Sequence, residues 1–329
     1  MIITQAPLRI SFLGGGTDYP AYFKRHGGAT LVTSINKYNL ITVQRVPQFA
    51  DFGVRVNYSQ VESVQSIDQI RHPSARECLR FMSIQEGVEI HYLSDLPART
   101  GLGSSSSATV ALLTALHAFK GELVSREQVA AEAVYVEQEM IKERVGVQDQ
   151  YACALGGLIH LQCHPDNRIH ADPIVLASER LRALQDRLLL MYTGIRRNAH
   201  DVLDEQIERT QSGDNTAGLA RMKELVEQGI DVLVNGRDLS DFGSLLHEGW
   251  QLKRQLSSKV TLPWIDEAYE HARRAGAIGG KLLGAGSGGF LLFYVEPYNR
   301  DSVRCAVPEL RESNFAFENL GSRIIFYRS

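Results

Sequence analysis

Pro97-Ala-Arg-Thr-Gly-Leu-Gly-Ser-Ser-Ser-Ser-Ala108 is the stretch that decides how this chain reads. Gly101 and Gly103 lack a Cβ, so the backbone there can take positive φ and bring its N–H groups close to an anion. Beyond them Ala108, Ala111, Leu112, Ala115, Leu116 and Phe119 recur at three-and-four spacing, which predicts a helix from about Ser104 to Lys120 that stops at Gly121. Its first-turn N–H groups and the positive end of its dipole face the glycine loop. The expected ligand of Gly101, Leu102, Gly103, Ser104, Ser105, Ser106 and Ser107 is a nucleotide triphosphate. Taken alone, the segment also fits a serine-capped helix start without a ligand. It is not a P-loop, because no Lys follows Gly103 at the required place, and Gly280-Lys281 is followed by Leu282 instead of a hydroxyl residue.

The chain has 329 residues, 44% of them hydrophobic and 22% charged, which suits a folded protein of two domains. Apolar runs such as Leu188 to Met191 fall far short of the roughly 20 residues that cross a bilayer. The start, Met1 to Arg9, has no basic segment before an apolar run, and a cytoplasmic location is expected. A net charge of −3, without a basic cluster carrying interleaved aromatics, gives no reason to expect nucleic acid or a membrane as partner. Whether the chain is a homo-oligomer stays open. The four cysteines form no Cys-x-x-Cys pair and are expected as reduced thiols. His160, Cys163, His164 and His170 crowd together, but strand alternation turns Cys163 away from His160 and His164, which argues against a metal there.

Along the chain, Leu8, Ile10 and Phe12 alternate with Arg9 and Ser11, predicting a strand that presents an arginine on its polar face. Strands are expected near Ala29 to Ile35, Tyr38 to Val46, Gly53 to Tyr58 and Val88 to Leu93, with a helix from Ser74 to about Gln85. Ser125 and Gln128 form a capping-box pattern for a helix reaching about Glu143. A connector composition near residues 165 to 185 places a boundary between units 1–175 and 176–329. The second unit opens with the strand Leu188 to Tyr192, continues through four helices, and returns to strands flanking Gly284 to Gly289; a final helix and the strand Arg323 to Tyr327 are expected to close it. The fold class is α+β: a mixed or antiparallel sheet with helices, then a ferredoxin-like α+β unit.

Three separated segments carry the chemistry of one site: Ala6-Pro-Leu-Arg-Ile-Ser-Phe-Leu-Gly-Gly-Gly-Thr-Asp-Tyr-Pro20, the serine-rich loop, and Lys281-Leu-Leu-Gly-Ala-Gly-Ser-Gly-Gly-Phe290. In that order and at those separations the chain resembles the GHMP kinases, the superfamily of galactokinase, homoserine kinase, mevalonate kinase and phosphomevalonate kinase. The third segment also satisfies Gly-x-Gly-x-x-Gly, but a dinucleotide fingerprint must open a helix, and Gly289 precedes the strand-like Phe-Leu-Leu-Phe-Tyr-Val295.

The resemblance implies ATP and Mg²⁺ as cofactors and assigns roles by position. Asp149, in Gly146-Val-Gln-Asp-Gln-Tyr151, takes the place of the catalytic aspartate that accepts or orients the attacking hydroxyl. Arg9 takes the place of the basic residue beside the transferring phosphoryl group. Glu137 matches the magnesium-binding glutamate, with Ser105 preferred over Ser104 or Ser106 as the second metal ligand. Gly15, Gly16, Thr17, Asp18 and Tyr19 are expected at the substrate, with Gly284, Gly286, Ser287 and Gly288 shaping the pocket. Gly14-Gly15-Gly16 replaces the Gly-Glu-His of galactokinases, which makes galactose a poor candidate. The first segment, with Tyr192-Thr-Gly-Ile-Arg-Arg197, looks most like the D-glycero-D-manno-heptose 7-phosphate kinases, with fucose kinases next. Arg196 or Arg197 is then expected to clamp the 7-phosphate. The competing readings are a kinase of an unphosphorylated sugar and a catalytically silent nucleotide-binding regulator.

Overall fold

A computed structural model describes residues 1–195 and 200–328; Arg196 and Arg197, the expected clamp, lie outside the described residues. In chain order the first part comprises β1 (Ile2–Leu13), α1 (Pro20–His26), β2 (Gly28–Arg45), β3 (Val54–Asn57), β4 (Val61–Val64), α2 (Pro73–Phe81), β5 (Val88–Ser94), α3 (Ser104–Lys120), α4 (Arg126–Tyr135), α5 (Gln148–Leu155), β6 (Leu158–Cys163) and β7 (Ile169–Pro173). There follow α6 (Ser178–Asp186), β8 (Leu188–Tyr192), α7 (His200–Ser212), α8 (Thr216–Val234), α9 (Leu239–Gln255), α10 (Pro263–Arg274), β9 (Ala277–Leu282), β10 (Phe290–Val295), α11 (Arg300–Ala306), β11 (Arg311–Glu312) and β12 (Arg323–Tyr327).

The described strands form two sheets. The larger has eight strands in the order β12-β1-β2-β5-β3-β4, with β6 also on β2 and β7 on β6. Its pairs are antiparallel except β3 with β5, so the sheet is mixed. The smaller runs β11-β8-β10-β9 and is antiparallel throughout, which is the strand order of a ferredoxin-like unit. The α+β class read from the sequence is the class observed.

Two departures bear on the site. The expected strands at 29–35 and 38–46 are one long strand, β2, and its pairing with β1 slips between Pro7 and Leu8, where Pro7 faces Tyr38 but Leu8 faces Ile35. Such a bulge adds twist and re-aims the next side chain, here Arg9. The strand expected to close the second unit, β12, instead pairs with β1 at the edge of the first sheet.

The helix α3 begins and ends where its glycines predict. Gly103 at its N-terminus and Gly121 past its end both adopt the left-handed conformation. Val110, Ala111, Leu112, Leu113, Ala115 and Leu116 are all fully buried, so this helix runs through the core between β1 and β2 on one side and α2, α4 and α5 on others. Small residues permit that close approach, and hydroxyls lock it: Thr4 Oγ1 donates to the Ala111 carbonyl at 2.7 Å and Ser107 Oγ to the Ala6 carbonyl at 2.9 Å. Leu8, Ile10 and Phe12 enter the core shared with β8, α8, α9 and β10, which leaves Arg9 and Ser11 on the opposite face.

Candidate active site

Arg9 and Ser11 face a cleft of about 1030 Å³, walled by the phosphate loop, the Gly15–Tyr19 turn, the start of α5, and residues of α7, α9 and the Gly284–Gly288 loop. That is room for a nucleotide and a sugar together.

The two glycine loops meet backbone to backbone. A Cβ on Gly101 would come within 2.4 Å of the Leu283 carbonyl oxygen, and one on Gly284 within 2.4 Å of the Gly101 Cα. Both residues also hold positive φ, 81° and 71°. Absence of a side chain at these two positions is therefore a condition for the loops to stack.

Arg9 lies at the centre. Its Nε and Nη2 donate to the two carboxylate oxygens of Asp149 at 2.7 Å each, and its Nη1 donates to the Gly101 carbonyl at 2.7 Å. The polar face of β1 was expected to leave Arg9 exposed; it is only 4% exposed, enclosed by the loop and α5. Asp149 keeps about a quarter of its side chain open to the cleft. A guanidinium fork of this kind fixes both position and orientation of a carboxylate.

Asp18 holds the segment before Asp149. Its oxygens accept from the Gly16 N–H at 3.0 Å, the Val147 N–H at 3.1 Å, the Gln148 N–H at 3.3 Å and the Gln148 side-chain amide at 3.2 Å. Gly146 leaves space for this, since a Cβ there would sit 1.9 Å from Asp18 Oδ2. Burial pushes the Asp18 carboxyl up, against the Gly16 N–H, and the nearby Asp149 charge adds to the rise. Asp18 thus sits at the cleft but spends its oxygens on the two turns that frame it.

Glu137 occupies a π-helical turn, Val136–Met140, which continues α4; the expected regular helix to Glu143 is interrupted there, and Ile141 N–H reaches back five residues to the Val136 carbonyl at 2.9 Å. Glu137 is 1% exposed. Its Oε2 accepts from Ser106 Oγ at 2.8 Å and Gln150 Nε2 at 2.5 Å, while Oε1 has no hydrogen-bond partner. Burial pushes this carboxyl up to about 7. An orphaned buried oxygen beside a serine hydroxyl fits a small hard cation that takes few protein ligands. The hydroxyl on Glu137 is that of Ser106, however, and Ser105, the expected ligand, is exposed on the cleft wall. Among the described residues no group of three His, Cys, Asp or Glu is placed to hold a metal, at His160–His170 or elsewhere.

Several residues expected in the site turn away from it. Thr17 is fully buried, its hydroxyl oxygen 2.8 Å from both the Gly14 and Ala29 carbonyls, which share its one proton, and accepting from the Ala29 N–H at 3.0 Å. Leu102 packs in the core and contributes its carbonyl to the Arg9 N–H at 3.0 Å. Ser107 is tied to Ala6 as described, and Ser287 Oγ donates to the Lys259 carbonyl. For Thr17, Ser107 and Ser287 a short polar side chain satisfies a nearby carbonyl and so holds a loop in place.

Other cleft residues escaped the sequence reading. Tyr58, His72 and Tyr92 make an aromatic wall at the β5 end, with ring centroids 4.7 and 4.8 Å apart. Lys253 and Lys281 also line the cleft, 8% and 5% exposed. Lys253 stands in a helix without any motif; Lys281 heads the third segment, where only the glycines drew notice.

Comparison with known proteins gives the family of the chain. Models of the GHMP kinases N-terminal domain and of the GHMP kinases C-terminal domain match residues 71–157 and 222–312, together more than half of the chain. The chain is 29% identical over 308 residues to a D-glycero-alpha-D-manno-heptose 7-phosphate kinase of Campylobacter jejuni, covering 90% of each. It is 24% identical over 310 residues to a bifunctional fucokinase/GDP-fucose pyrophosphorylase of Arabidopsis thaliana, spanning 88% of this chain but 29% of that protein. A D-glycero-D-manno-heptose 1-phosphate kinase from Bacteroides thetaiotaomicron has the same fold, with a TM-score of 0.81 over all of both chains at 23% identity. No helix among the described residues is long and apolar enough to cross a membrane. With its two glycine loops stacked over an arginine–aspartate pair, the chain belongs to the GHMP kinase family.

Proposed function

We propose that this protein transfers the γ-phosphoryl group of ATP to the anomeric hydroxyl of D-glycero-D-manno-heptose 7-phosphate, giving the 1,7-bisphosphate used for nucleotide-heptose synthesis. The observation that carries the reading is the meeting of Arg9, Asp149 and both glycine loops in one cleft. The heptose assignment draws on the likeness to the Campylobacter jejuni enzyme.

In this reading the triphosphate lies on the N–H groups of Gly101 to Ser106 at the start of α3, and the base rests against Tyr58, His72 and Tyr92. Asp149 orients the C1 hydroxyl and takes its proton as the oxygen bonds to the γ-phosphorus and the β–γ bridging bond breaks, releasing ADP. Arg9 holds Asp149 and offsets charge on the phosphoryl oxygens. Ser106 and Glu137 would hold Mg²⁺, which supplies charge neutralisation at the β- and γ-phosphates. Residues from both 1–175 and 176–329 line the cleft. Gly15, Gly16, Tyr19, Gly284, Gly286 and Gly288 bound the sugar.

The test is a panel of sugars and sugar phosphates incubated with ATP and Mg²⁺, with the new phosphate located by phosphorus NMR. A new signal at C1 of heptose 7-phosphate supports the reading; turnover confined to fucose or another unphosphorylated sugar, or none at all, rejects it.

A further inference from the structure

We propose that Lys253 and Lys281 form a seat for a phosphate dianion, and that the group they seat is the phosphate the sugar substrate already carries. This rests on the reading of the cleft as that of a sugar-phosphate kinase.

Both lysines are more than nine-tenths buried, and both line the cleft. Lys253 Nζ donates to the Leu282 carbonyl at 2.8 Å and to the Gly284 carbonyl; Lys281 Nζ donates to the Phe12 carbonyl at 2.8 Å. An ammonium has three N–H donors. When both are protonated, one N–H on Lys253 and two on Lys281 therefore have no acceptor among the described residues. Neither lysine makes an ion pair among the described residues, although burying an unpaired cation costs several kcal/mol.

Holding loop carbonyls does not account for two amines that incur a desolvation cost whenever they take up a proton, since neutral amides would do it without that cost. The charges also repel. Burial pulls Lys253 down to about 7, with Arg9 adding to the fall, and burial, Lys253 and Arg9 together pull Lys281 well below its ordinary value. Facing them are Arg9, whose charge is matched by Asp149, and Asp18, whose oxygens are already taken. A dianion would relieve this excess of positive charge. The nucleotide's phosphates have their own backbone cradle at Gly101 to Ser106. Lys281 instead reaches β1 beyond Arg9 and feels the charge of Asp18, which accepts from the Gly16 N–H of the turn expected at the sugar.

The decisive experiment titrates inorganic phosphate into the protein saturated with a nonhydrolysable ATP analogue, by calorimetry. The wild type is expected to bind phosphate with proton uptake near pH 8, as the anion draws protons back onto the lysines. Lys253→Met and Lys281→Met should each weaken it about 10- to 100-fold, and Lys253→Arg should restore part of the loss. In turnover the same Met variants should raise KM for heptose 7-phosphate by a similar factor while leaving KM for ATP unchanged. Should a Met variant fail to fold, proton uptake by the wild type decides. Unchanged phosphate affinity in both variants, no phosphate binding by the wild type, or binding abolished by the ATP analogue overturns the proposal. The last outcome would return the seat to the nucleotide. If phosphate binds as expected but no sugar phosphate is turned over, the kinase assignment fails and the seat stands.

Discussion

Arg9 grips Asp149 through two parallel N–H···O bonds of 2.7 Å and with its remaining arm holds the carbonyl of Gly101. One side chain thereby ties the candidate base to the loop that would carry the phosphates. Replacing Asp149 with Asn keeps volume but removes the proton acceptor, and kcat should fall by about 10²- to 10⁴-fold with nucleotide affinity nearly unchanged. Steady-state kinetics beside a nucleotide-binding titration checks this; a kcat within tenfold of wild type would remove Asp149 from the chemistry. Arg9→Lys should also be severe, because an ammonium cannot bridge both oxygens.

Ser106, and not Ser105, shares a hydrogen bond with Glu137. Activity measured against Mg²⁺ concentration should show Ser106→Ala and Glu137→Gln needing about 10- to 100-fold more metal for half-maximal rate, with Ser105→Ala close to wild type. The reverse order would place the metal on the outer serine.

Asp18 works through the turn that precedes Asp149. In Asp18→Asn one acceptor becomes a donor facing backbone N–H groups, at a cost of about 1–3 kcal/mol. Gly146→Ala should act alike, its methyl meeting Asp18 Oδ2. Both are expected to lower kcat more than they raise KM for ATP. An isolated rise in KM for the sugar, with unfolding unchanged, would mean that Asp18 touches substrate and does not brace the turn.

Gly101→Ala introduces a Cβ at a positive φ and 2.4 Å from the Leu283 carbonyl oxygen. The loops must separate, and a loss of about 1–3 kcal/mol in stability together with weaker ATP binding is expected. Thermal unfolding with and without nucleotide tests it; an unaltered midpoint in both states would mean the loops are not in contact.

Lys253 is held near 7 by burial and Arg9, against about 10.4 in an unfolded chain. Between those values the unfolded state binds more protons, so this group's contribution raises stability as pH climbs and is lost as pH falls through 7. Lys253→Met removes the group. Denaturant unfolding should find the stability of the variant relative to wild type falling by roughly 2–4 kcal/mol between pH 7 and pH 10, on top of a pH-independent cost from the two carbonyls left unpaired. A gap independent of pH would show that Lys253 is not held neutral by the fold.

Strand alternation put Arg9 on the polar face of β1 and the glycines marked two close approaches, but only the resemblance to a family pointed to Asp149, and neither showed that Arg9 would be buried. The choice among serines was not legible, since a run of four hydroxyls supplies candidates in every direction and the helical register of α3 selects one. Thr17, Ser107 and Ser287 look like ligands in one dimension, but carbonyls within reach of each claim the hydroxyl. Lys253 and Lys281 gave no signal, because a buried lysine is spelled the same as a solvated one. The strand β12 was readable as a strand but not as a partner of β1, since an Ile-Ile-Phe-Tyr run suits either sheet.

The wide turn at Val136–Met140 makes the length of that segment, more than its composition, the property on which Glu137 depends. Each residue of a helix rotates its successor by about 100°. Deleting a single residue such as Glu139 would let the segment relax to ordinary winding and turn the chain from Met140 onward, which leads to Gln150 and Asp149, relative to Glu137 and α4, even though every charged group of the site was still encoded. Point substitutions at Glu139 or Met140 should be tolerated where single-codon deletions are not.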